Sequence, residues 1–177
     1  ANYVIMATIT APIVVRLGIP LMAAHMFVFY FGIVADITPP VALAAYAGAA
    51  IAKSNPLKTA ITATRLAITA FIIPYIFALS PNLLLTPEVL SNPMALLETV
   101  FIIITSLVGM FGIAAGMEGF MFKLMPFWQR IAVIVGGLLL IYPGWVTDLL
   151  GFGLVGAVFA YQYFTGRTGG ARPATVS

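Results

Sequence analysis

The sequence predicts an all-α protein that crosses a membrane several times. Of its 177 residues, 62% are hydrophobic and only 7% are charged, whereas about a quarter of the residues in an ordinary soluble domain are charged. The apolar residues lie in long runs separated by short turns. A tandem proline, Pro39-Pro40, interrupts one of these runs. Together these features predict a polytopic membrane protein with a broken helix.

The composition excludes several classes of function. Eight Lys and Arg against five Asp and Glu give a net charge of +3, but these residues are scattered singly and form no patch that could bind nucleic acid. The absence of cysteine rules out disulfides and thiolate metal sites. Because the sequence has no Ser-His-Asp set, metal cluster or phosphate-binding glycine loop, we predict neither an enzyme nor a covalently bound cofactor.

The first apolar run predicts one arm of a hairpin. Residues 2–17 supply about 16 apolar positions, fewer than the roughly 20 that a perpendicular span needs. We therefore expect a half-hairpin that begins inside the bilayer and ends in a turn at residues 16–20. The chain starts at Ala1 without an initiator methionine or a targeting signal, so we expect it to be a piece of a longer protein.

The second apolar run predicts a broken helix. Residues 21–52 are too many for one straight span. Pro39 and Pro40 lack backbone N–H groups and disfavour a helical conformation at the preceding residue. We therefore expect two half-helices in line, residues 23–37 and 41–52, with an unwound centre.

The rest of the chain predicts further membrane segments. We expect a full span over residues 59–79, a loop over 80–93, a second span over 94–116 and an interfacial link over 118–130. Residues 131–164 are too few for two full spans. They form either two short helices or a re-entrant hairpin that turns at Pro143-Gly144.

The basic residues predict which side of the membrane each turn faces. Cytoplasmic loops carry an excess of Lys and Arg. The residues that we therefore place on the cytoplasmic side are Lys53, Lys58, Lys123, Arg130, Arg167 and Arg172. The loop that contains Glu88 falls on the opposite side, and Arg16 is a single exception outside.

Two stretches resemble a known family. The opening Ala-Asn-Tyr and residues 23–42, which contain Ala-Asp-Ile-Thr-Pro-Pro-Val-Ala, closely resemble the large membrane subunit of TRAP transporters (tripartite ATP-independent periplasmic transporters). They look most like the fused permeases of the TAXI type. Residues 138–151 are similar to the C-terminal extension of those fusions. The sequence departs from many relatives at Ala42, where they carry glycine.

The resemblance implies an inverted-repeat, elevator-type transporter in the bacterial inner membrane. It implies a sodium-coupled permease that imports a small organic anion delivered by a periplasmic binding protein, with the matching repeat in the upstream part of the same permease. In this family a hairpin and the broken helix that follows it create a sodium site beside the substrate. Sodium is thus the implied coupling ion.

The resemblance also predicts how the chain is divided. Residues 1–79 form the C-terminal part of the transport domain, with the hairpin arm, the broken helix and the following span. Residues 80–125 hold a loop, a span and the interfacial link. Residues 126–166 form a hairpin of short helices, and residues 167–177 form a cytoplasmic tail.

The candidate ion ligands lie at the Pro-Pro break. A carboxylate inside a membrane costs about 2.5 to 3.5 kcal/mol, so Asp36 either coordinates an ion or caps the free N–H groups of the helix after the break. Sodium prefers oxygen ligands, which favours the Thr38 hydroxyl and the carbonyls of Asp36, Ile37 and Thr38. Pro39 and Pro40 leave this backbone unwound.

Four residues outside the break are weaker candidates. Asn2 and Thr8 lie near the expected hairpin tip and could face the same site, although Thr8 could instead bond back to its own helix. His25 is either a packed histidine or a proton carrier. Arg65 either snorkels toward Lys58 or forms an ion pair with Asp36.

Two other classes of function remain open from the residues alone. In the first, the chain is a membrane scaffold or assembly subunit and the Pro-Pro break is only a packed kink. In the second, the chain is an ion channel, which is disfavoured because no filter-like segment or acidic ring appears in the sequence.

Overall fold

The computed structural model describes residues 2–166, with the side chains of residues 3–165. Apart from one isolated bridge between Phe120 and Leu124, the regular elements in this range are helices, which confirms the all-α prediction. The predicted tail, with Arg167 and Arg172, lies outside the described residues. The α-helices are α1 (Asn2–Arg16), α2 (Leu21–Val34), α3 (Leu43–Ile51), α4 (Pro56–Leu66), α5 (Ile73–Leu79), α6 (Pro87–Ser91), α7 (Pro93–Glu118), α8 (Phe127–Ile141) and α9 (Trp145–Gly166).

The described residues form two compact units, divided between Leu107 and Val108. Within the described residues, α7 and α9 are long and apolar enough to cross a membrane, and α4 with α5 makes a third candidate if the bent pair is one span. The predicted span over residues 94–116 lies within α7. The four predicted sections of the chain stay predictions.

The first unit begins with an antiparallel helical hairpin formed by α1 and α2. The predicted turn is confirmed, because α1 ends at Arg16 and Gly18 adopts a φ of +91°, which glycine tolerates without strain. Small buried residues let the two helices approach closely. These residues include Ala11 of α1 and Ala23 and Ala24 of α2.

The predicted broken helix is confirmed. Helix α2 ends at Val34, a single 3-10 turn covers Ala35–Ile37, and Thr38 is extended with φ of −111° and ψ of 123°. Helix α3 begins at Leu43, three residues after Pro40, and not at residue 41 as expected. Proline therefore ends the first half-helix, but two further residues are needed to turn the chain into the second.

Ala42 explains the delayed start of α3. Its φ of 39° and ψ of 36° lie in the left-handed region, where a Cβ atom is unfavourable and glycine is preferred. The methyl group is fully buried in a cluster with Ala45 and Ala60. Burial of this methyl group partly offsets the backbone strain.

The predicted span over residues 59–79 is bent, and its crossing of the membrane stays a prediction. Helix α4 is followed by a second helical stretch, Ile68–Leu79, which contains the 3-10 segment Ile68–Phe71 and α5, and the two are bent by 63° at Ala67. Pro74 has no N–H to give to the carbonyl four residues earlier and its ring clashes with that carbonyl. Tyr75 of α5 then packs edge-on against Phe27 and Phe31 of α2, with ring centroids 5.4 and 5.9 Å apart.

The second unit is built from the C-terminal half of α7 together with α8 and α9. The predicted turn at Pro143-Gly144 is confirmed, because α8 ends at Ile141 and α9 begins at Trp145. The α7 and α8 backbones touch at two glycines. A Cβ atom added at Gly137 would lie 2.5 Å from the carbonyl oxygen of Gly109.

The link between α7 and α8 is held by side chains. Arg130 donates through Nε to the Gly116 carbonyl and through Nη2 to the Met117 carbonyl, each at 2.9 Å. Those carbonyls belong to the last turn of α7, where a helix runs out of N–H donors of its own. Arg130 therefore caps α7, which is a role that its expected place in an interfacial link did not predict.

Candidate functional site

The backbone at the break is hydrogen-bonded across the two prolines. The Ala42 N–H donates to the carbonyls of Ala35 and Thr38, at 3.2 and 3.0 Å. The Thr38 N–H also donates to the Ala35 carbonyl, at 3.2 Å. Because these bonds span the two prolines, the unwound centre is an ordered turn in which the oxygen atoms have fixed positions.

Thr38 keeps free acceptor capacity. Its hydroxyl donates to the Val34 carbonyl at 2.7 Å, which uses its only proton. The hydroxyl oxygen still has lone pairs that can accept. The Thr38 carbonyl oxygen uses one lone pair to accept from the Ala42 N–H and has a second lone pair free. Thr38 can therefore offer two neutral oxygens to a hard cation.

Helix α4 is tied to the break through Thr64. The Thr64 hydroxyl lies 3.0 Å from the Ile37 carbonyl and 2.9 Å from the carbonyl of Ala60 in its own helix, so its proton is shared between the two. Sequence reasoning missed this residue. The one signal in the sequence was the recurrence of threonine along α4, at Thr59, Thr62 and Thr64.

Tyr46 holds the far end of the break. Its hydroxyl donates to the Pro40 carbonyl at 3.2 Å, from one turn inside α3. Sequence reasoning missed this contact too, because the distance of six residues matches neither a cap nor a regular helix bond. Tyr46 and Thr64 thus fix the two ends of the unwound segment.

Asp36 does not cap the following helix. The N-cap of α3 is Ala42, and no side chain caps it, so the capping alternative is wrong. The Asp36 side chain is half-buried. Within residues 2–166 its carboxylate accepts no hydrogen bond and forms no ion pair. The break therefore carries a carboxylate whose oxygens remain open to a cation or to water.

Of the candidates on α1, Thr8 lies away from the break. Tyr3 of α1 contacts Phe29, with ring centroids 5.6 Å apart. Because α1 and α2 are antiparallel, Thr8 lies farther from the break than Tyr3 does. The Thr8 hydroxyl donates back to the Val4 and Ile5 carbonyls. The structure therefore does not bring Thr8 to Asp36 and Thr38, and the side chain of Asn2 lies outside the described residues.

His25 has a packing partner. Its Nδ1 lies 3.0 Å from the Tyr3 hydroxyl, and the two rings meet edge-on. This contact joins α1 to α2 and agrees with the packed alternative. No group of three or more His, Cys, Asp or Glu side chains is found in the described part of the chain, so a cation there would depend on neutral oxygens for most of its ligands.

The fold and the break together define a class of protein. A half-buried carboxylate beside an unwound, proline-broken helix in an all-helical apolar chain is the arrangement with which secondary transporters bind ions and substrates. The particular family follows from comparison with known proteins. The family model for the tripartite ATP-independent periplasmic transporter, DctM component, matches residues 1–92.

This match covers more than half of the chain, and the protein belongs to the DctM family. It is a membrane-embedded component of a transporter and not an enzyme, and the family supports a permease over a passive scaffold. The TAXI type and the resemblance of residues 138–151 stay predictions. No curated protein and no solved structure matches the chain.

Proposed function

We propose that this chain is part of the transport domain of a sodium-coupled permease that imports a small organic anion delivered by a periplasmic binding protein. The observation that carries the proposal is the open, half-buried Asp36 carboxylate, two residues from the Thr38 hydroxyl at an ordered break. In this proposal sodium binds the Asp36 carboxylate and the oxygens of Ile37 and Thr38. Sodium takes such oxygen ligands by analogy with other hard cations.

The N-terminus of α3 supports binding of the anion. The first intrahelical bond of α3 runs from the Tyr46 N–H to the Ala42 carbonyl. The N–H groups of the three residues before Tyr46 have no carbonyl one turn back to bond. Together with the helix dipole they attract a negative group. In the proposed site a substrate carboxylate is therefore bound by α3, next to the cation.

The charge of Asp36 provides the coupling. An unpaired carboxylate repels an anionic substrate by about 3 kcal/mol if the two charges are roughly 6 Å apart at an effective dielectric constant near 20. Bound sodium removes this repulsion, so substrate affinity rises when sodium is present, and sodium affinity rises by the same factor when substrate is present. The site then moves as a rigid unit with both ligands.

The proposal is tested by anion uptake into proteoliposomes that contain the intact permease and its binding protein. Uptake should require an inward sodium gradient, and Asp36→Asn and Thr38→Val should each reduce it at least tenfold at equal reconstitution. The matched control is Thr105→Val, because Thr105 also donates only to a carbonyl of its own helix, at 3.0 Å from Ile102. Uptake in the site variants that equals the Thr105→Val rate would refute the site.

A further inference from the structure

A cleft of about 420 Å³ lies beside α4, outside the break. It begins at the turn that joins α3 to α4 and continues along the exposed face of α4. Its lining residues are Ser54, Asn55, Lys58, Thr59, Thr62, Ala63 and Leu66. None of these residues is acidic and one is cationic, so the cleft carries a positive charge with no internal counter-ion.

The hydrogen bonds leave mainly donors at the polar end of the cleft. Asn55 accepts the Lys58 N–H through Oδ1, at 3.1 Å, which directs its Nδ2 donors away from the helix. Thr59 gives its hydroxyl proton to the Asn55 carbonyl at 2.9 Å, so the Ser54 hydroxyl, 2.9 Å from the Thr59 oxygen, gives its own proton to Thr59. The donors that remain are the Asn55 amide and the Lys58 ammonium. This pair fits an anionic group such as a phosphate.

The far end of the cleft is apolar. Ala63 and Leu66 line it one and two turns beyond Lys58. Since a helix rises about 1.5 Å per residue, Leu66 lies about 12 Å from Lys58 along the axis. A small water-soluble anion would not contact an apolar surface at this distance from its charge. A lipid, in contrast, places its headgroup and its acyl chains at such a separation.

We propose that this cleft binds the headgroup of an anionic glycerophospholipid, with the phosphate on Lys58 and Asn55 and the start of an acyl chain on Ala63 and Leu66. Lys58 belongs to a turn predicted to lie at the cytoplasmic surface, where anionic lipids attract basic residues. The Thr62 hydroxyl gives its proton to the Lys58 carbonyl at 2.8 Å. Its oxygen therefore remains as an acceptor for a headgroup hydroxyl, as in phosphatidylglycerol.

The lipid site does not depend on what the permease transports. It requires only that the chain is embedded in a membrane, with the first turn of α4 at the level of the headgroups. The bound lipid would join the α3–α4 corner to the bilayer. Its test therefore needs no substrate and no transport assay.

The test measures thermal unfolding of the intact permease in uncharged detergent while phosphatidylglycerol is added. The salt is about 0.3 M potassium chloride, at which diffuse attraction between exposed charges is largely screened. The unfolding midpoint should rise to a plateau with phosphatidylglycerol and not with phosphatidylcholine. Lys58→Gln should raise the half-saturating lipid concentration at least about fivefold.

Two further variants and inorganic phosphate complete the test. Asn55→Asp keeps the helix cap but replaces the amide donors by a negative oxygen, so it should weaken the lipid effect at least as much. Lys53→Gln is the matched control, because it removes the same charge from the same turn at a residue that does not line the cleft. It should stay within about twofold of the wild type, and inorganic phosphate should cause no rise.

Three outcomes would overturn the lipid site. The first is that Lys58→Gln and Asn55→Asp leave the half-saturating concentration unchanged. The second is that Lys53→Gln weakens the effect as much as Lys58→Gln does, which would mean a diffuse attraction to the surface. The third is that inorganic phosphate reproduces the rise, which would mean a site for a free anion.

Discussion

The Thr64 hydroxyl lies 3.0 Å from the carbonyl oxygen of Ile37, which is 27 residues earlier in the chain. This bond connects α4 to the unwound turn of the preceding broken helix. Ile37 is itself a proposed sodium ligand and lies between the other two, Asp36 and Thr38. Any shift of Thr64 is therefore expected to move the oxygens of the proposed site.

Thr64→Val should destabilise the intact permease by about 1 to 2 kcal/mol, because the part-buried Ile37 carbonyl loses its donor. Thr64→Ser should restore most of the stability. The measurement is unfolding in detergent. The control is Thr99→Val, because the Thr99 hydroxyl donates only to the Ala95 carbonyl of its own helix, at 2.8 Å. This substitution should lower the free energy of unfolding by less than about 0.5 kcal/mol. Equal losses in the two valine variants would contradict a specific role for Thr64.

Gly137→Ala should destabilise the second unit by about 2 to 3 kcal/mol. The new methyl group would lie 2.5 Å from the Gly109 carbonyl oxygen and 2.8 Å from Ile113 Cγ1, so α7 and α8 would have to separate. The same substitution at Gly153 meets no atom within 4 Å and should be neutral or stabilising. Thermal unfolding of the two variants compares them directly, and similar midpoints would contradict the close approach.

The buried amides of Gln129 and Gln162 should show energetic coupling. Both side chains are 1% exposed or less, and Gln162 Nε2 donates to Gln129 Oε1 at 2.6 Å. Gln162 Oε1 also accepts from the Lys123 N–H at 3.2 Å. Either Gln→Leu variant leaves a buried amide without its partner, at a cost of about 1 to 3 kcal/mol.

The double variant Gln129→Leu/Gln162→Leu should be less destabilised than the sum of the single variants, by at least about 1 kcal/mol. A double-mutant cycle of unfolding free energies measures this coupling. Additive losses would show that the two amides do not depend on each other.

The features that the sequence predicted correctly are those that proline, glycine and segment length determine locally. The break after Thr38 follows from the missing N–H groups of Pro39 and Pro40. The turn at Pro143-Gly144 follows from the helix-breaking proline and glycine that separate α8 from α9. These signals act within a few residues, so they can be read without knowledge of the neighbouring helices.

The features that the sequence did not predict depend on contacts between distant residues. Pro74 was visible in the sequence, but the bend before it also reflects the packing of Tyr75 against α2. The bond of Thr64 to Ile37 and that of Gln162 to Gln129 join residues 27 and 33 positions apart. A threonine or glutamine in an apolar helix does not indicate its partner, because either residue can also bond within its own helix.

The central claim, that the break after Asp36 is a sodium site, is tested most directly by sodium binding to the purified intact permease. Calorimetric titration of the wild type and of Asp36→Asn, in a buffer with potassium as the balancing cation, gives both dissociation constants. We expect saturable binding to the wild type and an affinity at least tenfold weaker in Asp36→Asn, because the only charged ligand is lost. Equal affinities would contradict the account.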